Sequence, residues 1–220
     1  MRLNLYIAQS TGLSRRAADR AVSDGRVRIN GRNTTPGQQV NDNDEVMLDD
    51  YVITPEPKTT TIMLNKPVGY VCSRDGQGSK TVYDLIPREL HHLKSIGRLD
   101  KESSGLLLMT NDGKLAYELT HPSFRKFKTY NIAVNLPLEP LHRQMIADHG
   151  VMIDDGVSKL QLERINPTDD NNWRVTMHEG RNRQIRKTLA SLGYKVVKLH
   201  RTKFGQYLLG TLAIGKYKEV

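Results

Sequence analysis

Residues 97–113 read Gly97-Arg98-Leu99-Asp100-Lys101-Glu102-Ser103-Ser104-Gly105-Leu106-Leu107-Leu108-Met109-Thr110-Asn111-Asp112-Gly113. A charged turn, Arg98 to Ser104, runs into the apolar stretch Leu106 to Met109, and Asn111-Asp112-Gly113 supplies residues that favour tight turns. The pattern predicts a loop feeding a buried strand. Such a loop holds one carboxylate, Asp100, on a rigid edge beside Arg98 and Lys101. A fixed, ionised carboxylate can act as a nucleophile or stabilise a developing cation. An aspartate in a charged turn is more often a solvated or capping residue, and with 24 acidic residues in the chain, chemistry alone does not single out Asp100.

Strand signals continue on both sides. Ile62 to Ser73 has two short apolar runs flanking Lys66-Pro67, which reads as strand, turn, strand. Tyr83 to Ile86 reads as a short helix stopped by Pro87, and Lys114 to Leu119 as another ending before Pro122. Ile132, Val134 and Leu136 alternate, giving a strand entered through Arg125, Lys126 and Lys128. Leu138 to His149 reads as an outer helix, and Val151–Gly156, Lys159–Ile165 and Trp173–Met177 as strands. Beyond Gly180 a helix is expected as far as Leu192, with Ile185, Leu189 and Leu192 as its buried stripe. Tyr194 to Phe204 reads as a long strand, basic on one side at Lys195, Lys198, Arg201 and Lys203, and Leu208 to Tyr217 as the strand that finishes the sheet. Many strands with scattered helices and no regular strand–helix alternation predict an α+β fold with a mainly antiparallel sheet.

The first 50 residues have a different grammar. Leu3, Leu5, Ile7 and Ala8 suit a short helix. Ser14 is a good N-cap for a second, with Ala17, Ala18, Ala21 and Val22 as a thin apolar face. Arg26-Val27-Arg28-Ile29 alternates like a strand, Asn30-Gly31 is a strong hairpin turn, and Glu45 to Leu48 is a further strand. Residues 51–61 hold Pro55 and Pro57 with little apolar content, the best linker in the chain. The expected organisation is a head at 1–50, a linker at 51–61 and a larger domain at 62–220.

Charge points to the partner. The chain of 220 residues carries a net charge of +9 and a pI near 9.6. All seven cations of residues 1–55 lie between Arg2 and Arg32, and five of their seven acids between Asp42 and Asp50. Residues 180–220 hold ten Lys/Arg against one acid. Two basic patches suggest a polyanion. No apolar run approaches the roughly 20 residues needed to cross a bilayer, and the N-terminus lacks a signal-peptide core, so a cytoplasmic protein is expected. The single cysteine, Cys72, excludes an internal disulfide and reads as a small buried hydrophobe. His142, His149 and His178 have no ligand spacing, so no metal is expected.

The motifs together resemble a known family. Gly97-Arg98-Leu99-Asp100 with Ser104 to Gly113, Asn65-Lys66-Pro67-Val68-Gly69, Lys128-Thr129-Tyr130, and Glu179-Gly180-Arg181-Asn182-Arg183-Gln184-Ile185-Arg186 look like the signature set of ribosomal RNA pseudouridine synthases. Ser14 to Arg20 with Gly25 to Gly31 is similar to the alpha-L RNA-binding motif. The resemblance implies an enzyme that isomerises one uridine of ribosomal RNA, without a cofactor. It implies Asp100 as the catalytic residue, Tyr130 against the flipped uracil, Arg186 paired with Asp100, and a Lys66 motif that braces the active-site sheet. Tyr130 offers a ring for stacking and a hydroxyl for proton exchange, though from the residue alone a half-buried strand tyrosine is the commoner case. Arg15, Arg16 and Arg20 share one broad helix side and, with Arg26, Arg28, Arg98, Lys128, Arg183 and Lys187, are the candidate phosphate contacts. Ribosomal RNA is the expected partner of a monomer. The alternatives are a non-catalytic rRNA-binding or assembly factor on the same fold, which would not require Asp100, Tyr130 and Arg186 together, and a nucleoside glycosidase, for which the sequence offers no obvious paired carboxylate.

Overall fold

The computed structural model describes residues 1–55 and 59–220 and divides into two compact units, Met1–Thr60 and Thr61–Val220. In the first, α1 (Leu3–Thr11) and α2 (Arg15–Ser23) precede β1 (Val27–Ile29), β2 (Arg32–Asn33), β3 (Val46–Leu48) and β4 (Tyr51–Val52). Ser14 caps α2 by accepting the Ala17 N–H at 3.1 Å. Asn30 and Gly31 both have positive φ, 51° and 75°, the backbone that a two-residue turn between right-twisted strands requires. The four strands pair in the order β2-β1-β3-β4 over a core that includes Leu3, Ile7, Val22, Val27 and Val46.

Tyr51 and Val52 do not begin a linker. They pair with Met47 and Leu48, and the Ile53 N–H binds the Val46 carbonyl at 2.9 Å, because the positive φ of Asp49 and Asp50 turns the chain back along β3. Residues 56–58 of the expected linker, Pro57 among them, lie outside the described residues.

The second unit contains β5 (Thr61–Lys66), β6 (Lys94–Ile96), β7 (Ser104–Thr110), α3 (Gly113–Thr120), β8 (Lys128–Val134), α4 (Pro140–Gln144), β9 (Val151–Ile153), β10 (Gly156–Ser158), β11 (Gln161–Arg164), β12 (Asn172–Met177), α5 (Gln184–Ala190), β13 (Val196–Phe204), β14 (Tyr207–Leu208) and β15 (Tyr217–Glu219). β9 and β10 form a separate hairpin; the other strands make one sheet with the path β11-β12-β8-β13-β7-β5-β15, β14 pairing with β13 and β6 with β7. Among these pairs only β13 with β7 runs parallel. The sheet is therefore mainly antiparallel, in an α+β fold.

The middle of β7, Leu106 to Met109, is apolar without alternation because both of its faces are covered. Leu107 and Met109 enter the larger core with Ile132, Val175 and Leu189, while Leu106 and Leu108 enter a second core with Met63, Phe204 and Leu209. Gly105 makes the junction with β13 possible: a Cβ there would lie 2.3 Å from the Arg201 carbonyl oxygen. Two expectations fail locally. The run after Lys66-Pro67 forms no strand, only an isolated bridge from Val71 to Thr81. Leu208–Tyr217 is not one strand, since the chain turns after β14 and only β15 returns, to pair with β5.

Candidate active site

The loop between β6 and β7 carries Asp100, and its backbone is held carbonyl by carbonyl. Cys72 Sγ lies 3.4 Å from the Leu99 oxygen, Lys66 Nζ donates to Asp100 at 3.0 Å and to Ser103 at 2.7 Å, the Gly69 N–H donates to Lys101 at 2.7 Å, and Arg186 Nη2 donates to Glu102 at 3.1 Å. Five consecutive carbonyls from Leu99 to Ser103 are thus occupied. Lys66 has no exposed surface; its third donor binds the Pro67 carbonyl at 3.0 Å, so all three of its N–H groups are used. Burial pushes this ammonium below its ordinary range, an effect opposed by the nearby Cys72, Asp100 and Glu102. The Lys66 segment therefore braces the loop itself.

Asp100 opens on a cavity of about 290 Å³. Its walls include Leu99, Tyr130, Leu199 and Phe204, together with six cations, Arg98, Lys128, Arg181, Arg183, Arg186 and Arg201. Asp100 is the one acid among the lining residues. Arg183 and not Arg186 meets its carboxylate: Arg183 Nη1 lies 3.4 Å from Asp100 Oδ2 and 2.9 Å from Glu102 Oε2. The expected Arg186 pairing is corrected accordingly. Arg186 is drawn inward, with Nη1 donating to the Val196 carbonyl at 2.7 Å and Nη2 to Glu102, so it ties α5 to β13 and to the loop. Burial, followed by the neighbouring Arg183, lowers its pKa. Arg183 stands at the start of α5 with φ 51° and ψ 29°, a left-handed backbone that a non-glycine residue adopts at a cost of about 1–2 kcal/mol. That local strain accompanies the guanidinium that reaches Asp100.

The remaining expected contacts sort into two groups. Arg98, Lys128 and Tyr130 line the cavity. Lys128 Nζ donates to the Glu179 carbonyl at 3.3 Å, and burial, then Arg201, lowers its pKa. Lys187 instead pairs with Asp154 at 3.1 Å and Asp155 at 3.5 Å on the β9–β10 hairpin, which engages it with protein acids. In the head, Arg15, Arg16 and Arg20 are exposed along α2, whereas Arg26 pairs with Asp49 and Arg28 with Asp50.

Arg201 is what sequence reasoning missed, and of Lys66 it expected a brace for the sheet without its hold on the loop carbonyls. Arg201 was expected on the basic side of its strand, yet it is 2% exposed, with Nε on the Leu106 carbonyl at 2.7 Å and its guanidinium 5.0 Å from the Phe204 ring centroid. A register shift between Arg201 and Lys203 breaks the alternation that would have turned it outward. Arg201 Nη2, Arg186 Nε and Ser103 Oγ are buried without a hydrogen-bond partner among the described residues, and all three residues line the cavity. Unpaired donors beside one carboxylate suit an acceptor-rich ligand such as a pyrimidine base or a phosphate.

A carboxylate in a cationic cavity, on a mainly antiparallel sheet, suits an anionic, acceptor-rich ligand. Residues 60–191 match the family model of RNA pseudouridylate synthase, and residues 1–46 that of the S4 domain. The chain is 35% identical to the ribosomal small subunit pseudouridine synthase A of Haemophilus influenzae, over 99% of this chain and 95% of that one. It is 32% identical to the ribosomal large subunit pseudouridine synthase B of Bacillus subtilis, over 100% and 91%. A solved structure described as a crystal structure of pseudouridylate synthase aligns with a TM-score of 0.72 at 34% identity, covering 100% of this chain and 96% of that one. The chain belongs to the RNA pseudouridylate synthase family, with an S4 domain at its head.

Proposed function

We propose that this protein isomerises a specific uridine of ribosomal RNA to pseudouridine, with Asp100 as the catalytic residue. The bond from C1′ to N1 of uracil breaks, a bond from C1′ to C5 forms, and the proton displaced from C5 is balanced by one gained at N1. No redox change occurs and no atom is added. The observation that carries this reading is the lone carboxylate of Asp100 facing a cationic cavity from a loop whose carbonyls from Leu99 to Ser103 are held. A carboxylate kept in place in this way serves equally for attack on C1′ or for assisting loss of a sugar proton. The target base leaves its stack, at a cost of a few kcal/mol, and enters beside Tyr130. Arg183 orients Asp100, and Arg186 positions the loop. The head's exposed Arg15, Arg16 and Arg20 hold phosphates of the same RNA. The protein works as a monomer in the cytoplasm.

Asp100→Asn keeps the shape and removes the charge. It is expected to abolish tritium release from 5-tritiated uridine in rRNA while leaving the melting temperature and RNA binding within error of wild type. Retained turnover would remove Asp100 from the mechanism. Pseudouridine mapping of rRNA from cells with and without the protein identifies the substrate position, and identical maps would overturn the rRNA assignment.

A further inference from the structure

The chain has three phenylalanines, and two of them are left in solvent three residues apart. Phe124 is 43% exposed and Phe127 51%, and Tyr117 nearby is 53% exposed. Single exposed apolar residues are ordinary on a protein surface, but these rings are grouped. Tyr117 on α3 lies 4.7 Å from His121 and 5.7 Å from Phe124 between ring centroids, and Phe127 lies 6.1 Å from His178. Phe127 directly precedes β8 and His178 directly follows β12, and Lys128 pairs with Met177 across those strand ends. His121 and His178, one in each ring group, line a common groove at these strand ends.

That groove adjoins the Asp100 cavity, with Tyr117, Phe124 and Phe127 packed around its histidines. It is lined by His121, Pro122, Arg125, Lys126 and His178 and shares Leu119, Thr120, Lys128, Gly180 and Arg181 with the cavity wall. Its acid, Glu179, is already engaged by Arg181 at 3.1 Å and by Gln184, which leaves the groove cationic. Rings interleaved with cations beside a site for one nucleotide are the chemistry of a single-stranded nucleic acid path: bases stack on the rings and phosphates follow the charges. The nucleotides on either side of any base held in the cavity are covalently joined to it, so they must lie at its mouth.

We infer that Phe124 and Phe127, with Tyr117 and the cations Arg125 and Lys126, form a stacking platform for unpaired nucleotides flanking the target uridine. This rests on the reading of the cavity as a uridine site. It implies that the substrate is single-stranded beside the modified position.

The test uses the full chain and a fluorescein-labelled single-stranded oligouridine 12-mer, read by anisotropy at low salt. The double variant Phe124→Ala/Phe127→Ala is expected to bind at least roughly tenfold more weakly than wild type, with an unchanged melting temperature because both rings are exposed. Phe124→Tyr/Phe127→Tyr restores binding, whereas Phe124→Leu/Phe127→Leu does not, because stacking needs a π-face and general apolar contact does not. With rRNA from cells lacking the protein, the Ala pair raises KM and leaves kcat at saturation within about twofold. Unchanged binding by the Ala pair, or rescue by Leu as good as by Tyr, overturns the platform; the latter would mark an apolar protein-docking surface. Either result leaves the uridine reading standing if Asp100→Asn is inactive, whereas an active Asp100→Asn removes that reading whatever the rings do.

Discussion

At the residue scale the site is a problem of holding one loop still. Lys66 is the deepest of its supports, and replacing it by Met removes the donor from the Asp100, Ser103 and Pro67 carbonyls together. Hydrogen bonds from charged donors contribute about 1.5–3 kcal/mol each, offset here by the cost of burying the ammonium. A net loss of about 3 kcal/mol is expected, seen as a melting temperature lower by roughly 6–12 °C in a chain of this size, with turnover lost alongside. The two arginines of α5 should separate cleanly. Arg183→Ala removes a half-exposed ion pair, for which about 0–1 kcal/mol is expected, but it frees the Asp100 carboxylate and should lower kcat by about 100-fold. Arg186→Ala loses two carbonyl contacts that join elements, so activity and melting temperature should fall together. Calorimetry with single-turnover kinetics on both variants decides between these patterns. Glu102 supplies the pH signature. The Arg183 hydrogen bond holds its carboxyl below the usual glutamate range, so its contribution to stability is present above the unfolded value and is lost as pH falls through the lower folded one. The melting-temperature gap between wild type and Glu102→Gln should therefore narrow progressively as pH falls below about 4.3; a gap that does not narrow on acidification contradicts the pairing.

At the scale of elements, β7 joins the sheet to the site. Its run of apolar residues was legible because a strand covered on both faces needs no polar alternation, whereas the residues expected to close it as a turn start α3, with Asp112 as its N-cap. Gly105 is the point of closest approach, with φ 105° and the Arg201 backbone against it. Gly105→Ala combines a clash with a backbone that side chains rarely adopt, and a loss of more than about 2 kcal/mol is expected in denaturant titrations. Val71 and its neighbours looked like a strand by composition, yet Gly69 and Cys72 there hold the Asp100 loop. The helix after Gly180 and its buried stripe of Ile185 and Leu189 were legible from period. The left-handed turn at Arg183 was not, because nothing in an arginine's chemistry announces positive φ.

For the whole molecule, each unit has a core of its own, so residues 61–220 without the head should retain a cooperative melt. Removing Arg15, Arg16 and Arg20 together should weaken rRNA binding and flatten its salt dependence, since each lost phosphate contact lowers the slope of log K against log salt by roughly 0.7–0.9. An unchanged slope would take those side chains off the RNA. By itself the sequence determined the helix–helix–hairpin head, the mainly antiparallel α+β class, the loop that carries Asp100 and the motif set that marks the family, all of which are written in short-range period, turn chemistry and local spacing. Only the tertiary structure decided which arginine meets Asp100, that Arg201 turns inward, and that Lys66 clamps the loop. Those contacts span 83, 95 and 34–37 residues, and they depend on how strands pair and where a register shift falls. Local periodicity carries no record of such pairings, because a single-residue slip in register sends every later side chain to the opposite face.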